Sequence, residues 1–353
     1  MSDFNINHIT GKQGQQGTVL AGVTTVSSTG SMRIPSGPTE QRGGRGRAIF
    51  GGGYTPSATN TLNFIEIATT GNASGFGDLS VVRKAPGGCA SSTRGLIFGG
   101  YTIKSIDYVT MSSQGGVSDF GDLQKTSNYS GNAVSNNIRG IYGSSEGTAL
   151  NPDRIEYVTI ATTGDASEFG RNIFGAPHSV TGTEGSERGY ASAASPTRGL
   201  FAGGHRHMNA VTNIISYITI ATLGNNALFG NLTVARNGPS GCSNSTRAIW
   251  SGGATSPTST NVQDTIDYTT IATLGNATDF GNLTAATSFA TGAASSTRGV
   301  IAGGHVAPSG NSTVNTIEYV TISSLGNATN FGDLTEAIKM MGGCSDVHGG
   351  LGE

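Results

Sequence analysis

The chain has 353 residues, enough for one large domain or two ordinary ones. Charged residues make up 12% of it and the net charge is −2, which argues against a nucleic-acid footprint and against a polybasic membrane anchor. Its 56 glycines follow no strict G-X-Y period, so collagen is excluded, and their dispersal among Ser, Thr and Asn fits many short strands joined by tight turns.

The first 46 residues differ from the rest. They read "FNINHITGKQGQQGTVLAGVTTV" and then "SSTGSMRIPSGPTEQR". No apolar core of a signal peptide stands at the start, and no apolar run approaches the roughly 20 residues of a membrane span. A soluble protein made in the cytoplasm, without membrane insertion, is the expectation. Residues 1–46 are rich in Gly, Gln and Ser and poor in apolar residues. They are expected to be extended and to need a partner surface to order them.

From residue 47 onward one unit recurs. Each copy has an Arg, a short apolar run and a small-residue pair: "RAIFGGG" at Arg47, "RGLIFGG" at Arg94, "RGIYGSS" at Arg139, "RGLFAGG" at Arg198, "RAIWSGG" at Arg247 and "RGVIAGG" at Arg298. The spacings are 47, 45, 59, 49 and 51 residues. A period near 50 signals a radial repeat array.

Within a unit the pattern predicts four antiparallel strands. A small-residue strand such as "GGCASS" at 87–92 precedes the "STRG" turn. The apolar run into the Gly pair follows, then an alternating strand such as "IDYTTIAT" at 266–273, with Ile266, Tyr268 and Ile271 inward and Thr on the wet side. "GNATDFG" reads as a turn into a last strand, "NLTAA". The third unit is irregular: its small pair is Gly143-Ser144, and "SVTGTEGSERGYAS" at 179–192 predicts a projecting loop. At the other end, "GGCSDVHGG" at 342–350 matches "GGCASSTRG" at 87–95. It predicts an inner strand that completes the first unit and closes the array, removing exposed sheet edges.

Candidate site residues are few. Cys89, Cys242 and Cys344 share one repeat position with Val134, Ala193 and Ala293, which predicts a small buried core slot rather than a disulfide or metal set. The recurrent arginines include Arg94, Arg198, Arg247 and Arg298. They suit either a basic ring for an anionic glycan or acidic partner, or bonds to neighbouring carbonyls and to acids such as Asp107, Glu156, Asp267 or Glu318. His205 and His207 form an H-x-H pair without an evident third ligand, so no metal is assigned. The Asn-x-Ser/Thr triplets at Asn72, Asn276 and Asn327 fall in the repeated turn, where Gly and Asn would supply positive-φ positions. No G-x-S-x-G, H-E-x-x-H or P-loop motif occurs, and no catalytic residue or cofactor is assigned.

The units resemble the kelch repeat, with its apolar strand ending in Gly-Gly, then a Tyr, then a Trp. The Tyr position holds Phe64, Tyr108, Tyr157, Tyr217, Tyr268 and Tyr319. The Trp position holds Phe76, Phe120, Phe169, Phe229, Phe280 and Phe331, a departure in residue type. The resemblance implies a six-bladed β-propeller over 47–353, with those phenylalanines as wedges between blades. The "RIPSG-T-QR" phrase in 27–42 resembles attachment segments of bacteriophage tail-fibre proteins, and the whole chain is similar in style to structural proteins of cyanobacterial viruses. That implies a non-enzymatic virion protein, on tail, neck or capsid, anchored to other virion proteins by residues 1–46. Other roles implied are capsid decoration, binding of host-surface glycans, or a cellular kelch-type adaptor.

Overall fold

The structure, a computed structural model, describes residues 46–126, 132–143, 154–172, 189–206, 210–256, 260–306 and 312–352. The chain divides after Arg42, and everything described belongs to the second unit. Residues 1–45 of the attachment segment, His207, Ser144 and most of the 179–192 insert lie outside the described residues.

The described residues are all-β, with one short 3-10 turn at Gly349–Leu351. They form six four-stranded antiparallel sheets. The second sheet sets the pattern: Gly87–Ala90, Arg94–Gly100, Ile103–Thr110 and Ser118–Asp122 pair in that order. The first sheet takes its inner strand from the far end of the chain, where Gly342–Ser345 pairs with Arg47–Gly51. Asp346, just beyond, is buried and accepts hydrogen bonds from the Gly46 and Arg47 amides at 3.1 and 2.8 Å. The C-terminal strand is thus the missing first strand of the first unit, as the sequence match to 87–95 predicts.

The second strand of each sheet is buried along nearly its whole length; Arg47–Gly51 is buried at every position. Such strands cannot have a wet face, and they read as continuous apolar runs. The third strand corrects the expected alternation. In Thr265–Thr270, Ile266 and Asp267 are buried, Tyr268 is half-buried, and Thr269 is buried with its hydroxyl 3.2 Å from Trp250 Nε1. Only Thr270 is exposed. Both faces of the sheet are covered, so period-two alternation has nothing to report there.

The fourth strand is a second correction. It lies on Thr278–Asn282, mostly within the segment read as a turn, and takes only Asn282 from "NLTAA". Register explains why. Ile266 faces Gly281 while Asp267 faces Asp279, so Phe280 is the extra residue of a β-bulge. The same bulge falls on Phe76, Phe120, Phe169, Phe229 and Phe331. A bulge re-aims one side chain; here it turns each Phe out of its own sheet. All six are buried to 4% exposure or less.

The apolar side chains group into six clusters, each drawn from two consecutive sheets. Phe120 of the second sheet packs with Val158 and Ile160 of the third. Phe331 of the sixth packs with Ile65 and Ile67 of the first. Each four-stranded sheet is too small to bury a core alone, and the packed neighbour supplies the other half.

After the second strand the glycine pair is a conformational requirement. Gly303 and Gly304 have φ of 63° and 114°, and a Cβ on Gly303 would lie 2.3 Å from the Ile338 carbonyl oxygen. That approach lets the Gly304 amide donate to the same oxygen at 2.8 Å.

Candidate functional site

The repeated residues converge on the junctions between sheets. The segment "LGNATDFGN" works at both ends. Its first glycine amide donates to the carbonyl of the bulged Phe in the preceding sheet: Gly115 to Phe76, Gly164 to Phe120, Gly224 to Phe169, Gly275 to Phe229, Gly326 to Phe280 and Gly71 to Phe331, at 2.7 to 3.1 Å. Two residues on, a second amide donates to the preceding sheet, as Ala277 does to Asn231 at 2.7 Å. Between them, the Asn or Asp side chain accepts an amide from that same sheet. Asn276 accepts from Asn231, Asn327 from Asn282, Asn72 from Asp333, Asn225 from Arg171 and Asp165 from Asp122, at 2.9 to 3.0 Å. None of these Asn residues has positive φ, which corrects the turn reading of Asn72, Asn276 and Asn327. They are staples across a junction.

The second glycine of the segment faces the next copy. A Cβ on Gly281 would lie 2.4 Å from the Gly326 carbonyl oxygen, and one on Gly332 would lie 2.3 Å from that of Gly71. The Phe-Gly dipeptide therefore sets a bulky wedge beside a point of backbone contact.

The recurrent arginines sit in the same junctions. Each guanidinium lies over the aromatic ring of its own third strand, 4.5 Å away for Arg94 over Tyr108 and 4.7 Å for Arg298 over Tyr319. That ring meets the bulged Phe edge-on, with centroids 6.1 Å apart for Tyr268 and Phe280. Nη1 then donates to a carbonyl of the next sheet. Arg94 reaches Ile160 at 2.8 Å, Arg198 Ile271 at 2.8 Å, Arg247 Ile322 at 2.7 Å, and Arg298 Ile67 and Ala68 at 3.0 and 2.9 Å. Of the six, only Arg47 also pairs with a carboxylate among the described residues, Glu66 at 3.0 Å. The acids suggested as partners, Asp107 and Asp267, belong to other arginines.

Those other arginines are not part of the repeat. Arg83 Nη2 lies 2.9 Å from Asp107 Oδ2, and Arg236 Nη2 lies 2.7 Å from Asp267 Oδ2; both pairs are essentially fully buried. Each joins one sheet to the next, first to second and fourth to fifth. Burial lowers the pKa of both guanidinium groups and the facing carboxylate opposes it. Only two units carry Arg four places after the Leu that stands three places beyond the bulged Phe. That irregularity was the available signal for the pairs.

Near the inner strands, six small positions line a cavity of about 60 Å³, with Cys89, Cys242, Cys344 and His348 on its wall. The cysteines are free and buried. Burial pushes the Cys89 and Cys242 thiols up to about 12 and raises that of Cys344 as well. They are neutral thiols, unsuited to nucleophilic work at ordinary pH. Each packs on the residue after an arginine in the next sheet: a Cβ on Gly95 would meet Cys344 Sγ at 3.1 Å, one on Gly140 Cys89 Sγ at 3.0 Å, and one on Gly299 Cys242 Sγ at 2.7 Å. Where the slot holds Val134, the partner is Gly199, whose Cβ would lie 2.6 Å from a Val134 methyl. Where the slot holds Ala193 or Ala293, the partner becomes Ala248 or Ala48, in a shared apolar cluster. Large faces Gly and small faces Ala at all six junctions.

His348 closes one side of this cavity. Its Nε2 lies 2.8 Å from the Ala90 carbonyl and 3.1 Å from Ser135 Oγ, while Nδ1 accepts the Gly350 amide at 3.0 Å. Nε2 therefore carries the proton in a neutral ring. Burial holds its pKa below the usual histidine value, against the pull of the Ala90 carbonyl. His205 and His305 lie in short extra strands, and no group of three metal-ligating side chains occurs among the described residues. No helix among them is long and apolar enough to cross a membrane. No protein-family model matches the chain, and no curated protein sequence matches it.

Proposed function

We propose that the six sheets are blades of a kelch-like six-bladed β-propeller, and that the protein is a non-enzymatic structural component of a bacteriophage virion. Residues 1–46 anchor it to other virion proteins, and the propeller is presented for contact with a protein or with the host surface.

The observation that carries the architecture is the junction between the sixth sheet and the first. Gly71 donates to Phe331 and Arg298 reaches Ile67, as their counterparts do at the five other junctions, and Asn72 accepts from Asp333, as its counterparts do at four of them. A linear array would leave these partners unmatched at its two ends. The C-terminal strand in the first sheet adds a clasp of the kind that closes such rings.

The structural role follows from where the repeated groups are used. The arginines and phenylalanines that recur six times, and the tyrosines and asparagines that recur in most units, are engaged between sheets, so the repetition serves assembly of the domain. A scaffold of low net charge, joined to an anchoring segment, fits a particle component. A mass-spectrometric census of purified virions should contain the chain at a defined copy number, and a density map should place a ring-shaped domain at one site. Its absence from infectious particles would overturn the reading.

A further inference from the structure

Three junctions share a polar slot that is filled in different ways. In the first-to-second junction the guanidinium of Arg83 donates from Nη1 to the carbonyls of Gly99 and Ser105 at 3.1 and 2.9 Å. Its Nη2 donates to Asp107 at 2.9 Å. In the fourth-to-fifth junction Arg236 reaches the Thr265 carbonyl at 3.0 Å and Asp267 at 2.7 Å. In the fifth-to-sixth junction the repeat puts Thr287 at the arginine position, Glu318 at the aspartate position, and Gly303 and Thr316 where Gly99 and Ser105 stand.

Thr287 does not fill the space. Its hydroxyl donates to the Ala285 carbonyl at 2.9 Å, within its own loop. What remains is a cavity of about 60 Å³ lined by Glu318, Thr284, Thr287, Gly303 and Thr316 among others. Glu318 is 7% exposed. Its carboxylate accepts only from the Thr284 amide and hydroxyl, with no cationic partner among the described residues. A buried carboxylate needs a counter-charge or a proton. The cavity's volume is several times the minimum of about 10–15 Å³ that admits one water-sized group, so it admits a small polar group. Thr284 and Ala285 at its rim are exposed, which gives a route from solvent.

We propose that this cavity binds a guanidinium group supplied from outside the domain, in the place that Arg83 and Arg236 occupy in the sister junctions. Glu318 supplies the charge, and the carbonyls of Gly303 and Thr316 supply the acceptors that a planar, forked donor requires. The group can come from a free arginine-like small molecule or from an arginine of a docking protein.

The test uses the full chain and thermal melting at constant ionic strength, with sodium chloride exchanged for guanidinium chloride in the millimolar range. Wild type should gain an upward, saturating Tm shift of about 2 °C, opposite in sign to guanidinium's action as a denaturant. Thr287→Arg, which fills the slot covalently, should start higher and gain nothing; Glu318→Gln should gain nothing either. Free arginine and a short arginine-containing peptide are the other two arms. A shift with free arginine but not the peptide identifies a small-molecule source, and a shift with the peptide identifies a partner. A monotonic fall of Tm, equal in wild type and both variants, would overturn the proposal. So would an upward shift that survives in Thr287→Arg, or an equal shift with potassium chloride.

Discussion

The outer part of each junction and its polar slot follow opposite rules. The outer seam is written the same way six times: two amide donors, an aromatic wedge and an arginine bond join every sheet to the next. The polar slot a few residues away differs from junction to junction. It holds Arg83–Asp107 or Arg236–Asp267 in two cases, Glu318 without a cation in another, and Asn63 bonded to Thr335 between the sixth sheet and the first. The seam joins each sheet to the next through the same backbone groups, so every copy meets the same geometric demand. The slot only has to be electrically satisfied within its own junction. Repetition marks a geometric constraint, and variation marks a local one that several side-chain sets can meet.

The largest test of that contrast is to turn one slot into another. Arg236→Thr gives the fourth-to-fifth junction the composition of the fifth-to-sixth and leaves Asp267, fully buried, without its partner. Breaking a buried pair in this way costs about 3–5 kcal/mol. Adding Asp267→Asn in the same chain should recover a substantial part, because the neutral amide needs no counter-charge. Urea unfolding of the single and double variants reads both effects. Equal stabilities for the two would mean that the lost packing of the arginine, and not the stranded charge, sets the cost.

The inner positions offer a test of intermediate size. Gly299→Ala places a methyl 2.7 Å from Cys242 Sγ, and overpacking of this kind costs about 1–3 kcal/mol. Cys242→Ala in the same chain reproduces the Ala–Ala pairing of Ala193 with Ala248 and should restore most of the loss. A double-mutant cycle that gave no coupling would remove the size rule as the reason for the alternation of Arg-Gly with Arg-Ala.

That rule shows how much was legible in the sequence. The six units, their small-residue pairs and the Cys, Ala or Val slot can be read from the repeat, because residues at one position meet equivalent surroundings. The completing role of Gly342–Ser345 can be read as well, from its match to Gly87–Ala90. Pairings between different positions of neighbouring units are harder. Gly299 against Cys242 becomes visible only when each unit is aligned one step ahead of its partner. The strand at Thr278–Asn282 was hidden for a different reason. Asp, Gly and Asn are turn formers, and a bulge that spends its one large residue on the neighbouring sheet leaves no alternation to find. Asp107 and Asp267 stand at a repeat position, but Arg83 and Arg236 occur in only two units, so periodicity did not reveal the partners of these acids.

The slot without a cation should also show itself in pH dependence. Burial raises the Glu318 carboxyl above the usual glutamate value, and the Thr284 amide only partly offsets it. Because the folded value exceeds the unfolded one, the contribution of this group is present in full below about pH 4.3, the ordinary value. It is lost as pH rises through the raised value. Wild type, without added guanidinium, should lose stability across that window relative to Glu318→Gln. The quantity to compare is the difference between their urea midpoints at several pH values. A difference that does not change with pH would mean that Glu318 ionises as freely in the folded protein as in the unfolded one.

The smallest effect concerns the one seam that lacks a staple. Five junctions place Asn or Asp after the first glycine of the segment, but the second sheet has Gly116 there. This seam also has the longest backbone bonds of the six, with Gly115 to Phe76 at 3.1 Å and Val117 to Asp78 at 3.4 Å. Nothing lies within 4 Å of a Cβ built on Gly116, and its φ is not in the left-handed region, so a side chain fits without strain. Gly116→Asn should offer its Oδ1 to the Asp78 amide, as Asn276 does to Asn231. One such bond, with the lower freedom of a non-glycine residue in the unfolded chain, is worth about 0.5–1.5 kcal/mol of added stability. Hydrogen exchange at the Val117 amide should slow in step with the gain in the urea midpoint. A gain in midpoint with unchanged exchange at Val117 would assign the effect to the unfolded chain alone, and the side-chain staple would then be a consequence of the seam's geometry instead of one of its causes.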